Sequence, residues 1–311
     1  MKTTLFRLFI VLFLLSFIFL GAKCKNTHRV FVARGVAEKV VVSEQNEGQA
    51  CTDTLVRVYE HQDENKSVYT EENSAIDLQQ DLSKVRYLEE PISADTTLIV
   101  YYNTGFAFAF SPRYKQSIWV AYQYLPSELQ KVTKREGAFK QDARVKGTAN
   151  NGDYARTGYD KGHLAPAGDM AWSVQAMKES FYFTNISPQL AAFNRGIWKE
   201  LEEQVRRWVE RYDTLYIATG PLFLEGSATI GRNSISVPSH FYKALLTRRG
   251  GNWQAVGYLM ANRASAQLLD SFRCTIDSLE QLSGLDFFPL LPDSVEVKVE
   301  SEYDKKFWHA K

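Results

Sequence analysis

The chain has 311 residues, 45% of them apolar and 23% charged, with a formal net charge of +1. That length can bury a substantial core and the composition is ordinary for a globular protein. The near-zero balance excludes inferring a nucleic-acid partner from overall charge, so any polyanion site must come from local clustering. Aromatics are abundant, 19 Phe, 16 Tyr and 6 Trp, which favours strands and large packed side chains.

Lys2 and Arg7 precede an uncharged run at 8–22, LFIVLFLLSFIFLGA. A basic start followed by roughly 7–15 apolar residues is the pattern of a secretory signal. An uncleaved membrane anchor is the alternative, although a spanning helix usually needs about 20 apolar residues. Residues 1–22 are therefore expected to export the chain and place it outside the cytoplasm, whether periplasmic, membrane-tethered or secreted. Losing them removes Lys2 and Arg7 and takes the formal charge to −1. Cys24 stands where a bacterial lipoprotein carries its lipidated cysteine, but Lys23 fills the preceding slot, where that signal wants a small residue. Cys51 and Cys274 are the other two thiols; in an exported protein they form one disulfide or stay unpaired.

Residues 23–85 read as an N-terminal extension, partly linker, with a short apolar patch (Val40, Val41, Val42) and a polar stretch, HQDENKSVYTEENS, at 61–74. From about residue 86 strands are expected: TTLIVYY at 96–102, the alternating FAFAF at 106–110, SIWVAYQYL at 117–125, then 215–218, 241–246 and 255–260, the last two joined across Arg249-Gly250-Gly251. Helices are expected at 173–183, 194–210 and 275–283, the last stopped by Gly284. This predicts a mixed α+β domain over 86–300, built on a mainly antiparallel sheet, with 301–311 as a C-terminal tail.

Two stretches carry chemistry. In YARTGYDKGHLAPAGD at 154–169, Arg156, Asp160, Lys161 and His163 lie among small residues. A histidine beside charges is more often structural than catalytic, yet its pKa near 6.5 suits it to accept a proton from water. In NISPQLAAFNRGIWKELE at 185–202, Pro188 is expected to break regular structure and Asn194 to cap a helix. Trp198, Leu201, Val205 and Trp208 follow at helical spacing as an apolar face. An Asn carbonyl also suits Mg²⁺, which accepts few protein oxygens. Asn185 and Gln189 are amides fit for loop backbone groups or for substrate. Between Lys131 and Lys161 there are eight Lys or Arg against four acids. Such a run is usually a solvated face, but this one adjoins the candidate site and can track a phosphate backbone.

Asp160-Lys161-Gly162-His163, followed by Leu164-Ala165-Pro166, resembles the Asp-Arg-Gly-His signature of the DNA/RNA non-specific endonucleases, the ββα-metal nucleases that include endonuclease G. Asn185, Pro188, Gln189, Asn194, Trp198, Leu201 and Glu202 match the family's next segment, and Trp119-Val120-Ala121-Tyr122, Thr219-Gly220-Pro221-Leu222, Val237-Pro238-Ser239, Tyr242-Lys243 and Gly284-Leu285-Asp286-Phe287-Phe288 continue the likeness. The resemblance implies an α+β fold with a ββα-metal motif, and an endonuclease cutting DNA and RNA with little sequence preference. It implies His163 as general base and one divalent ion, Mg²⁺ or alternatively Mn²⁺ or another, bound through Asn194. Glu202 would position metal-bound water, and Arg135, Lys161 and Arg156 would contact phosphates, with Asn185 and Gln189 beside the substrate. Lys161 departs from the family's arginine and loses its two-pronged hydrogen bonding. The rival readings are a catalytically idle nucleic-acid-binding module and a phosphodiesterase acting on small phosphoesters.

Overall fold

The structure, a computed structural model, describes residues 87–310 except 97, 136, 224 and 225, and separately the backbone of a hairpin pairing Glu38–Val41 with Thr54–Arg57. The expectations for 1–22, Cys24, Cys51 and 61–74 lie outside the described residues.

Three strands open the main sheet: β1 (Ile99–Tyr102), β2 (Ala107–Ser111) and β3 (Gln116–Tyr124). A separate two-stranded ribbon follows, β4 (Tyr159–His163) with β5 (Ile186–Leu190). The sheet then resumes with β6 (Leu215–Leu222), β7 (His240–Arg249), β8 (Asn252–Ala261) and the short β9 (Arg273–Cys274). Its seven strands run in the order β9-β8-β7-β6-β3-β2-β1, every pair antiparallel. Gly250 and Gly251, at φ +56° and +84°, supply the two left-handed residues of the β7–β8 turn.

Both faces of this sheet are covered, and the alternation in β2 shows how. Phe106, Phe108 and Phe110 enter one core, while Ala107 and Ala109 enter the other. The first core is capped by α3 (Ile197–Tyr212), whose Trp198, Leu201, Val205, Trp208 and Val209 are all buried, as their spacing predicts. The second is closed by α4 (Ile276–Ser283), Phe287, Phe288 and Val299 of α5 (Asp293–Ser301). Two shorter helices accompany the ribbon in sequence, α1 (Val174–Ser180) between its strands and α2 (Ala191–Asn194) directly after the second.

The segment after residue 300 corrects the expected domain limit. Phe307 stacks on Tyr212 with ring centroids 4.1 Å apart, and Trp308 is fully buried edge-on to Trp208 at 5.2 Å. Large aromatics gain most from this burial, so Trp308, with Tyr303 and Phe307 packed beside it, completes the core beneath α3.

Helix α4 has a cap at each end. Thr275 Oγ1 accepts from the Ser278 N–H at 3.2 Å, and Gly284 takes the left-handed conformation at φ +68°. Thr275→Ala is expected to cost about 1 kcal/mol by urea unfolding; an unchanged midpoint would show that the cap contributes nothing.

Candidate active site

The ribbon brings the two chemistry-bearing stretches together. Asp160 stands opposite Gln189, Lys161 opposite Pro188, and His163 opposite Ile186. Pro188 therefore lies inside a strand, contrary to its expected breaking role; an isolated two-stranded ribbon tolerates the missing N–H because it has little ladder to break. Gly162 is required by packing, since a Cβ there would sit 2.1 Å from Gln189 Oε1. The ribbon is tied to the sheet at two points. Ser187 Oγ donates to Gln116 Oε1 at 2.5 Å, and Asn262 donates to the Pro188 carbonyl at 3.1 Å while accepting from the Leu190 N–H at 2.9 Å.

His163 ends β4 and is only 8% exposed. Its ring lies 5.0 Å from Phe181, edge to face, and 5.6 Å from Phe139, and Nε2 has no hydrogen-bond partner. Burial, followed by the positive charge of Arg135, pushes its pKa down to about 3. The imidazole is thus a neutral ring with an unspent nitrogen. Immediately after it, Asn185 pins the backbone: its side chain accepts from the Ala165 N–H and donates to the carbonyls of Ala165 and Ser180, each at 2.9 Å.

The depressed pKa has a consequence for stability. The unfolded chain takes up a proton near 6.5, whereas the folded ring resists one until about pH 3. Protons then favour the unfolded state, so His163 costs stability as the pH falls below 6.5. At about 1.4 kcal/mol per pH unit, that cost reaches about 2 kcal/mol by pH 5. Urea unfolding at pH 7 and pH 5 is expected to show the wild type losing about 2 kcal/mol more than His163→Asn; equal losses would contradict the assignment.

Asn194 ends α2 and, contrary to the expectation from sequence, does not cap the following helix; the cap position of α3 falls on Gly196, with no side-chain bond. The reason is a competing partner. Asn194 Nδ2 donates to Asp160 Oδ2 at 3.0 Å, and Arg195 grips the same carboxylate at 2.8 and 2.7 Å. The Arg195 hydrogen bond, with that from Asn194, holds Asp160 below the usual carboxylate range. With its amide nitrogen committed, Asn194 keeps its carbonyl oxygen as a free donor atom.

Glu202, two turns further along α3, faces a cluster of buried charges. Asp169 is fully buried, accepts from Tyr122 at 2.8 Å and pairs with Arg206 at 2.5 Å. Lys243 is also fully buried, 5.2 Å over the Trp198 ring, with no hydrogen-bond partner for Nζ. Burial and then Asp169 raise the pKa of Glu202, while Lys243, Arg206 and Arg135 oppose the rise. Burial also lowers that of Lys243. Arg135, exposed and 5.6 Å over Phe181, acts on both His163 and Glu202, so it links the two parts of the site.

Lys161 is half-buried with its ammonium 4.8 Å over Phe139, and Arg156 is exposed at φ +59° on the loop before β4. The other expected substrate contacts are overturned. Asn185 is fully buried with its amide spent on backbone, and Gln189 is fully buried behind Gly162. Neither reaches a surface that a substrate can touch. The basic stretch also loses a member, because Arg144 is bound to Asp142 at 2.6 Å. Sequence reasoning missed Phe139, Phe181, Asp169 and Arg206 as parts of the site. Of these only Arg206, one turn after Glu202 on the same helix face, carried a usable signal.

Residues 87–294 match the family described as DNA/RNA non-specific endonuclease. The chain is similar to mitochondrial endonuclease G of Homo sapiens, 36% identical over 201 residues, spanning 60% of this chain and 68% of that protein. Nuclease C1 of Cunninghamella echinulata var. echinulata is 36% identical over 175 residues, 51% of this chain and 69% of that one. The fold is similar to a crystal structure of the EndoG/EndoGI complex, with a TM-score of 0.60 and 30% identity over 63% of this chain and 88% of that chain.

Proposed function

We propose that this chain, which belongs to the DNA/RNA non-specific endonuclease family, hydrolyses backbone phosphodiesters of DNA and RNA with little sequence preference, using His163 as general base and Asn194 to hold a divalent cation. The observation that carries the reading is the neutral, buried imidazole of His163 on the same strand as Asp160, whose carboxylate fixes Asn194.

In this reading the neutral imidazole of His163 accepts the proton of the attacking water. The ring is ready for this at neutral pH because it enters the cycle unprotonated. The donor set suits a hard cation: a carbonyl oxygen on Asn194, with the Glu202 carboxylate on the adjoining helix to orient bound water. Mg²⁺ is the cation we expect; when bound it supplies positive charge that stabilises the phosphate and the leaving oxygen. Arg135, Lys161 and Arg156 meet phosphate oxygens, contacts that position the chain without reading bases. We further propose that residues 1–22 export the protein from the cytoplasm.

The test is cleavage of plasmid DNA, RNA and a small aryl phosphodiester, with Mg²⁺ or Mn²⁺ and with EDTA. Both polymers are expected to be cut, EDTA to abolish cutting, and rates to fall as salt rises. Activity confined to the small ester would favour a phosphodiesterase, and none at all an idle binding module.

A further inference from the structure

We infer that Asn151 is a positioning residue for substrate binding, holding the Lys161 ammonium over the Phe139 ring to receive one phosphate oxygen beside His163. Three contacts close a triangle. Lys161 Nζ donates to Asn151 Oδ1 at 2.7 Å, Asn151 Nδ2 donates to the Phe139 carbonyl at 3.1 Å, and the ammonium lies 4.8 Å from the Phe139 ring centroid. An exposed lysine would ordinarily lose much rotamer freedom on binding an anion. Here that freedom is already spent, with one donor fixed on the amide and the cation resting on the ring's negative face.

The same ring fixes the location. Residues 161 and 163 are two apart on one strand, so their side chains leave the same face. Phe139 touches both, lying 5.6 Å from the His163 ring. The remaining N–H groups of Lys161 are therefore held next to the base, where the anion is a backbone phosphate. A lysine can make a directed contact at this position because its ammonium is a compact charge that one amide can aim.

The inference rests on the proposed nuclease function. Asn151→Ala is expected to raise KM for a DNA duplex by roughly three- to tenfold, the range for one lost hydrogen bond, with kcat changed by less than about twofold. Asn151→Leu, of similar volume, is expected to do the same. Neither should add to the effect of Lys161→Met in the double variant. In a His163→Ala background, with EDTA added to stop residual cutting, Asn151→Ala is expected to lower the slope of log Kd against log salt by up to about one, as loss of a phosphate contact does. A merely structural role would leave that slope alone. If the wild type fails to cut nucleic acid, the functional reading falls; if it cuts and Asn151→Ala keeps the wild-type KM, or adds fully to Lys161→Met, the inference falls by itself.

Discussion

Replacing His163 with alanine is expected to lower the single-turnover rate of DNA cleavage by about 10²–10⁴-fold, the usual contribution of a positioned general base. The argument starts from burial. A ring 8% exposed between Phe139 and Phe181, with its pKa pushed down to about 3, is the neutral imidazole at neutral pH. A neutral imidazole keeps one ring nitrogen able to accept a proton. The backbone that carries it is fixed by Asn185, which the substitution leaves alone, so the ribbon should keep its shape. Near-ultraviolet circular dichroism and the unfolding midpoint would confirm a folded variant. A folded His163→Ala within about threefold of the wild type would mean that another group takes the proton.

Asp160→Asn is expected to act through the cation instead. Asp160 accepts from Asn194 and Arg195 together. Removing its charge weakens the Arg195 pair and frees the Asn194 amide to turn, so the carbonyl is no longer held in one orientation. Partners of this kind typically contribute 10–100-fold in metal affinity. The Mg²⁺ concentration for half-maximal rate is thus expected to rise by that factor, with most of the maximal rate recovered in excess metal. His163→Ala should show no such recovery. Isothermal titration with Mg²⁺ alone provides a reading that does not depend on cleavage, and an unchanged affinity would remove Asp160 from this role.

The sheet was legible because its strands obey the period-two rule on two buried faces: FAFAF places its phenylalanines on one side and its alanines on the other. Helix α3 was legible for the corresponding reason at 3.6 residues. The ribbon was not, since YDKGH and ISPQL hold a glycine, a proline and several polar residues, and carry no strand signal. They pair because Gly162 gives room to Gln189 and because Asn262, seventy-two residues from the Leu190 N–H it accepts, ties the strand down. Asn194 illustrates the same limit. Its local sequence suits a cap, but a carboxylate thirty-four residues earlier in the chain competes for its amide. Lys243 is the extreme case: a lysine in a strand reads as a solvated position, and only the assembled fold shows it enclosed near Glu202 and Asp169.

The last residues of the described chain cross from one side of the sheet to the other. Phe287 and Phe288 fill the core under α4, and Trp308 fills the core under α3, one hundred residues after its partner Trp208. A contact spanning that much chain forms late, because its loop entropy must be met before the contact rewards it. On a growing polypeptide, the helix that carries Glu202 thus waits for Phe307 and Trp308 before its underside is sealed. The packing of the helix that carries Glu202 then depends on residues a hundred positions away, and a cut near residue 303 is expected to lower the unfolding midpoint without touching any group that handles substrate.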